Sequence, residues 1–306
     1  MKVAFAGEAM MELTPDPSAP GHAGLRPAGD VLNSAVYFQR LAGDQAQATF
    51  VTALGSDPFS DDIQSFVAGE GIGTGTIRRQ TGGQCGLYAV STSETGERSF
   101  SYWRSTSAAR SLFSHPADFE AMSGCDVVYL SGITLAVISP PARQALVDWL
   151  RDARTGGVRL AFDSNHRPAL WEDTETAQDW TRTVWQMADI AFPSVDDEMA
   201  LFGDPDAQAV LTRFAGYGTT TGALKCGEAG AYVLGPHPRH VPAHTPDQVI
   251  DTTAAGDSFN AGFLATYLHG ADGPAATAAG AALATHVIQH RGAIVDLPPT
   301  LQDQTT

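Results

Sequence analysis

The 306 residues carry a formal net charge of -16, and 43% of them are hydrophobic, enough to build one large α/β domain or two small ones. The acidic balance argues against a nucleic-acid partner, which would call for a basic patch. No apolar run is long enough to span a bilayer. The opening Met1-Lys2-Val3-Ala4-Phe5-Ala6-Gly7-Glu8 lacks the features of a secretory leader, so the expectation is a cytoplasmic protein with no membrane partner.

In chain order, Lys2–Gly7 reads as a buried strand. Asp30–Leu41 reads as a helix with Ala35, Phe38 and Leu41 on one face. A strand at Thr49–Leu54 and a helix at Asp57–Glu70 follow. Cys85–Ser91 and Arg98–Arg104 read as two strands joined by turn residues at 92–96, a hairpin with which Met10–Thr14 and the segment near Leu25 could pair. Asp126–Leu130 is a strand, Pro141–Arg154 a helix with Ala145, Val147 and Leu150 among its apolar positions, and Val158–Asp163 a strand. A short strand at Ile190–Pro193 leads into a helix from Asp196. Ala223–Cys226 and Ala231–Leu234 read as strands around a turn at Gly227–Gly230, and helices cover Gly256–Leu268 and Ala275–Gln289. This alternation predicts βαβ units, hence a mostly parallel central sheet with helices on both faces and a small projecting β-sheet. No repeat or long linker divides the chain, so a single domain, 1–306, is expected. The small sheet, drawn from about 8–28 and 85–104, would serve as its lid.

Cys85, Cys125 and Cys226 are far apart and form no C-x-x-C pair, which reads as three reduced thiols without a structural zinc. Only Lys2 and Lys225 are lysines, and Lys225 closes an apolar strand. The most informative stretch is Asp251-Thr252-Thr253-Ala254-Ala255-Gly256-Asp257-Ser258-Phe259. Small residues here precede a helix whose Phe259, Phe263 and Tyr267 mark one buried face. Ala254, Ala255 and Gly256 fall at its N-terminus, where free N–H groups and the helix dipole make an anion site. Asp257, taken alone, is an acidic first-turn residue that stabilises the dipole. Beside an anion site it also has what phosphoryl transfer asks of a general base. No Walker A motif and no protein-kinase signature occurs.

The Asp251–Asp257 segment resembles the D-T-x-G-A-G-D signature of the ribokinase-like (PfkB-type) carbohydrate kinases. Asp251, Thr252, Ala255, Gly256 and Asp257 match, and Ala254 replaces a glycine, a departure expected to tighten the anion hole. The resemblance implies that Asp257 is the catalytic base and that the N–H groups of Ala254–Asp257 hold the transferring phosphoryl group. Ala28-Gly29-Asp30-Val31-Leu32-Asn33 resembles the family's G-G-x-x-x-N substrate motif, which brings in Gly29, Asp30 and Asn33. Lys225-Cys226-Gly227-Glu228-Ala229-Gly230 resembles the K-x-G-x-x-G turn near the nucleotide. Ser194-Val195-Asp196-Asp197 stands where the family has N-x-x-E, which implies a water-mediated magnesium role for Asp197. ATP with magnesium is thus implied across the C-terminal edge of the sheet, near Asn165, Arg167, Ser194, Lys225, Gly227, Glu228, Gly230 and Ala254–Gly256. Some members also hold a monovalent cation near the position of Asp251, which these residues do not themselves argue.

Three further segments, Gly29–Tyr37, Gly96–Arg104 and Phe162–Trp171, together with Gly86-Leu87-Tyr88, resemble the bacterial 2-keto-3-deoxygluconate kinases of that family. The implied substrate is a sugar acid. Its carboxylate suits Arg104 and Arg167, and its hydroxyls and keto group suit Tyr88 and Tyr102. Either arginine alone would read as a solvated surface residue, and Trp103 and Trp171 read as packing. The implied reaction is ATP-dependent phosphorylation of 2-keto-3-deoxygluconate on its terminal hydroxyl. The alternatives are a family kinase for a neutral sugar, fructose or ribose, and a non-catalytic sugar- or nucleotide-binding regulator, for which an intact Asp257 has no use. An exposed lid edge also offers a second copy a place to pair as a homo-oligomer.

Overall fold

The computed structural model describes residues 1–16, 19, 21–92 and 98–302. The turn expected at 92–96 and the Gly96-Glu97 part of the third resemblance segment lie largely outside them. Six strands form a parallel sheet in the order Ile190–Phe192, Arg159–Asp163, Val127–Ser131, Lys2–Ala6, Gln47–Leu54, Ile77–Arg79. Parallel bridges Ala191–Gly222 and Ser194–Lys225 join its first strand to an antiparallel sheet of Ala223–Lys225, Ala231–Val233 and Arg239–Val241.

The strands are apolar on both sides because both faces are covered. Val3 and Phe5 pack with the helices Asp30–Ala42, Ala255–Leu268 and Gly273–Val287. Ala4 and Ala6 point the other way, into a cluster with the helices Pro140–Thr155, Thr174–Trp185 and Ala207–Tyr217. This is the expected mostly parallel sheet with helices on both faces. A second sheet, in the order Ala23–Ala28, Met10–Pro15, Gly86–Thr92, Arg98–Trp103, stands apart from it.

Three details differ from the sequence reading. Residues Asp257–Ala265 of the helix at 255–268 are buried throughout, not along one face, since that helix is packed between neighbours. In the helix Pro140–Thr155 the inward residues are Ala142, Leu146, Val147 and Leu150, and Ala145 faces solvent. Trp103, expected to pack, is 60% exposed, because it lies at the end of an edge strand. Trp171 does pack, with the Arg143 guanidinium carbon 4.7 Å from its ring centre.

Capping separates the helices into two groups. The helices beginning at Pro58, Pro140, Thr174, Ala207 and Gly273 have their first turns closed by the side chains of Asp57, Ser139, Asp173, Asp206 and Asp272. Those beginning at Asp30, Val195 and Ala255 have no side-chain cap bond at Gly29, Ser194 or Ala254. Their first turns are left without a capping side chain near the carboxyl ends of the parallel strands, where ligands of open α/β sheets bind.

The helix at 255–268 is seated by a close crossing with its neighbour. A Cβ on Gly280 would lie 2.6 Å from the Phe259 carbonyl oxygen. Helix propensity favours Ala over Gly by about 1 kcal/mol, but this clash is with backbone and costs roughly 1–3 kcal/mol. Gly280→Ala is therefore expected to destabilise the protein, read as a lower urea midpoint at unchanged slope.

Candidate active site

Strand ends and helix starts converge here. Asp257 is 9% exposed, and its Oδ2 accepts a 2.8 Å hydrogen bond from Asn33 Nδ2, which projects from the helix after Gly29. Gly29 has φ 147°, a region unfavourable to other residues, and a Cβ there would lie 2.6 Å from the Glu8 carbonyl oxygen. Ser34 Oγ donates to the Asp257 carbonyl at 3.1 Å and so ties the two helix starts together.

Ala254 sits at φ 61°, ψ 15°, the left-handed conformation that glycine adopts without strain. The departure from the family's glycine therefore falls on a residue whose backbone must be held in a disfavoured region, and the surrounding contacts hold it. Thr252 O takes the Ala255 N–H at 3.2 Å and Ala254 O takes that of Ser258 at 2.8 Å. Gly256 and Asp257 lie between, with first-turn N–H groups that have no preceding turn to bond. A Cβ on Gly256 would meet only Lys225 Nζ, at 3.5 Å. The result is an open cradle bounded by N–H donors and an ammonium, which fits a phosphate. Asp251, the first residue of the motif, is structural: its carboxylate accepts from Thr253 N at 2.9 Å and Gly292 N at 2.7 Å.

Lys225 Nζ donates to Asp163 Oδ1 at 2.7 Å and to Asn260 Oδ1 at 3.1 Å. Asn165, at φ 30°, donates to Asp30 Oδ2 at 2.9 Å. Ser164 Oγ donates to Asp197 Oδ2 at 3.1 Å and accepts from the Ser194 N–H at 2.9 Å. Arg167 is 52% exposed and reaches Asp197 Oδ1 only at 3.7 Å. Among the described residues no group of three or more His, Cys, Asp or Glu side chains is placed to hold a metal. Asp197 does feel the charge of Asp163, which adds to burial in raising it. Such a donor set suits magnesium that arrives on phosphates and keeps its waters, not a protein cage.

The small sheet supplies the remaining residues. Tyr88 and Tyr102 lie across from each other, ring centres 5.7 Å apart. The buried Tyr88 hydroxyl is committed to Glu12, and Tyr102 is half exposed. Arg104 is 8% exposed and its guanidinium is paired with the buried Glu8. Gly227 and Glu228 lie in a short 3-10 turn closed by Gly230, whose N–H donates to Gly227 O at 3.0 Å and whose carbonyl accepts from Cys226 N at 2.8 Å. Glu8, Asp163 and Asn260 were not singled out in the sequence. Asp163 and Asn260 meet at Lys225, which bonds both, a pairing across the chain that no local sequence signal announces.

Burial is the largest influence on Asp257 and raises its pKa. The Asp30 charge raises it further, the Asn33 hydrogen bond lowers it, Asp163 raises it and Lys225 lowers it, and it ends at about 8. Burial also raises Asp30 and Glu8.

The chain matches the pfkB family carbohydrate kinase profile over residues 1–300. It belongs to that family. It is 38% identical over 303 residues to the 2-dehydro-3-deoxygluconokinase of Haemophilus influenzae, covering 96% of each chain. It is 39% identical over 302 residues to the enzyme of that name from Escherichia coli K12, covering 96% of this chain and 97% of the relative. In fold it is similar to a Vibrio cholerae fructokinase solved with fructose, ADP and calcium. The TM-score is 0.86 at 23% identity, over 100% of this chain and 99% of that one. No helix among the described residues is long and apolar enough to cross a membrane. The cysteines are free thiols.

A carboxyl group whose pKa is raised on folding makes the folded state bind more protons than the unfolded one. Stability then falls as pH rises from near 4 to near 8. Asp257→Asn removes that liability. The variant should be more stable than the parent by more than about 1 kcal/mol at pH 8 and little changed at pH 4, as read by urea unfolding at both pH values.

Proposed function

We propose that this protein transfers the γ-phosphoryl group of ATP to the terminal hydroxyl of 2-keto-3-deoxygluconate (2-dehydro-3-deoxygluconate), giving 2-keto-3-deoxy-6-phosphogluconate and ADP, with Asp257 as general base. The observation that carries the reading is the buried Asp257 carboxylate. It is held by Asn33 at 2.8 Å beside the uncapped helix start, in a chain 38% identical along its length to a 2-dehydro-3-deoxygluconokinase. The whole chain acts as one kinase domain, with the small sheet as its lid, in the cytoplasm where ATP is supplied.

Asn33 and Gly29 set the sugar against Asp257, and Asp30 holds Asn165 at the rim. Asp257 takes the proton of the terminal hydroxyl as that oxygen bonds to the γ-phosphorus and the bond to the β,γ-bridging oxygen breaks. The N–H groups of Gly256 and Asp257, with Lys225, face the charge that gathers on the transferring oxygens. Asp197, through water, and Asp163 nearby would hold magnesium arriving with the nucleotide, which would supply charge neutralisation there. Arg167 and Arg104 meet the substrate carboxylate, Tyr88 and Tyr102 line the lid side, and Ser194 and the Gly227–Gly230 turn border the nucleotide. Closure of the lid excludes water and so limits ATP hydrolysis.

An ADP-release assay offering 2-keto-3-deoxygluconate, fructose and ribose side by side is expected to give turnover dominated by the keto acid. Preference for a neutral sugar would overturn the substrate assignment. Asp257→Asn should lower kcat by roughly 10²–10⁴, and near-normal turnover would overturn the base.

Since Asp257 must be ionised to act, kcat/KM should rise with pH toward about 8 in the free enzyme. Asp30→Asn removes a repelling charge, and the rise should move to lower pH. A rise confined to the ordinary carboxylate range in the parent would contradict this.

A further inference from the structure

The described chain passes between the main sheet and the small sheet at four places: after Ala6, after Ala28, before Gly86 and after Trp103. Glu8 lies in the first. Its carbonyl oxygen fills the space beside Gly29, where a Cβ would approach to 2.6 Å. Its carboxylate fills the space beside Gly86, where a Cβ would approach Oε1 to 2.9 Å. That same Oε1 accepts from Ser107 Oγ at 2.5 Å, and Oε2 accepts from Arg104. One residue therefore touches every crossing, with its backbone carbonyl at Gly29 and its carboxylate at Gly86, Arg104 and Ser107. Glu8 is 3% exposed, and a carboxylate so buried stays in place only with its charge paired and its lone pairs bonded.

Arg104 is incompletely satisfied. Its Nε is buried and has no hydrogen-bond partner among the described residues. A guanidinium presents its donors as a rigid fork, so fixing one edge sets the direction of the other.

We propose that Glu8 is a positioning residue: it pins the lid hinge and, by holding Nη2 of Arg104, fixes the direction in which the neighbouring Nε–H meets the carboxylate of the substrate. This rests on the sugar-acid reading given above. Glu8 itself touches no substrate. It makes acid recognition depend on the position of the lid, since Ser107 and Arg104 leave the small sheet together and are held by the same carboxylate.

The test is calorimetric titration of 2-keto-3-deoxygluconate, with KM values from ADP release, on the parent and on Glu8→Gln, Arg104→Met and the double variant. Glu8→Gln keeps shape and removes charge. It is expected to weaken the keto acid by about 30-fold while the KM for ATP stays at the parent value. In the Arg104→Met background the same change should add no more than about 2-fold, because its effect runs through Arg104. Unchanged or tighter binding by Glu8→Gln overturns the proposal, tighter binding because the Glu8 charge would then oppose the acid more than its hold on Arg104 helps it. An equal loss in both backgrounds does so too, since it marks a merely structural carboxylate. Should Glu8→Gln fail to fold, Ser107→Ala frees one anchor without altering charge. It should raise the keto-acid KM alone, and no change would overturn the proposal. A parent that binds no keto acid overturns the sugar-acid reading and this inference with it, whereas a parent that binds and a Glu8→Gln that binds equally well overturn the inference alone.

Discussion

The carboxyl edge of the parallel sheet must accommodate the buried Glu8, Asp163 and Asp257 with the partly buried Asp30 among them, and this constraint shapes everything around it. Burial of like charges is tolerated only where cations and donors are built in. Lys225 is bound to Asp163 at 2.7 Å, Arg104 to Glu8, Asn33 to Asp257 at 2.8 Å and Asn165 to Asp30 at 2.9 Å. Each carboxylate is thus held by a residue from a different element. The convergence of strand ends and helix starts is what makes those pairings reachable.

Compensation is incomplete at Asp257. Burial and Asp30 outweigh the help of Asn33 and Lys225, and the group is left near a pKa of 8. In the proposed role of general base, which is effective when its pKa lies near the working pH, the electrostatic cost to folding and the reactivity of the group would have one origin. Ala254 adds a second local cost, a left-handed backbone in a residue with a Cβ. Both sit at the uncapped start of the helix at 255–268, while the helices beginning at Pro58, Pro140, Thr174, Ala207 and Gly273 are capped by Asp or Ser side chains. Local rules are broken where a ligand can repair them.

Much of this was legible in the sequence. Alternating apolar runs gave the parallel sheet because each strand is covered on both faces. The small residues before Phe259 marked a helix start with room for an anion. What stayed hidden depended on partners distant in the chain. Glu8 follows a strand as an ordinary polar residue, and nothing nearby announces that Arg104 and Ser107 will close on it. Tyr88 read as a free hydroxyl because Glu12, which takes it, belongs to a strand paired alongside. Trp103 read as packing because aromatic content cannot say that a strand will be an edge.

The two arginines implied by the resemblance are not equivalent once their surroundings are known. Arg104 is buried and its charge is already matched by Glu8. A substrate carboxylate placed against it would leave that corner with one negative charge in excess. Arg167 is half exposed and only loosely attached to Asp197, at 3.7 Å, so its charge can turn toward a newcomer at little cost. On the sugar-acid reading, Arg104 contributes direction and Arg167 contributes the balancing charge. A neutral sugar would need neither, and for it a buried arginine with an unpartnered Nε would be a desolvation cost with nothing to offset it.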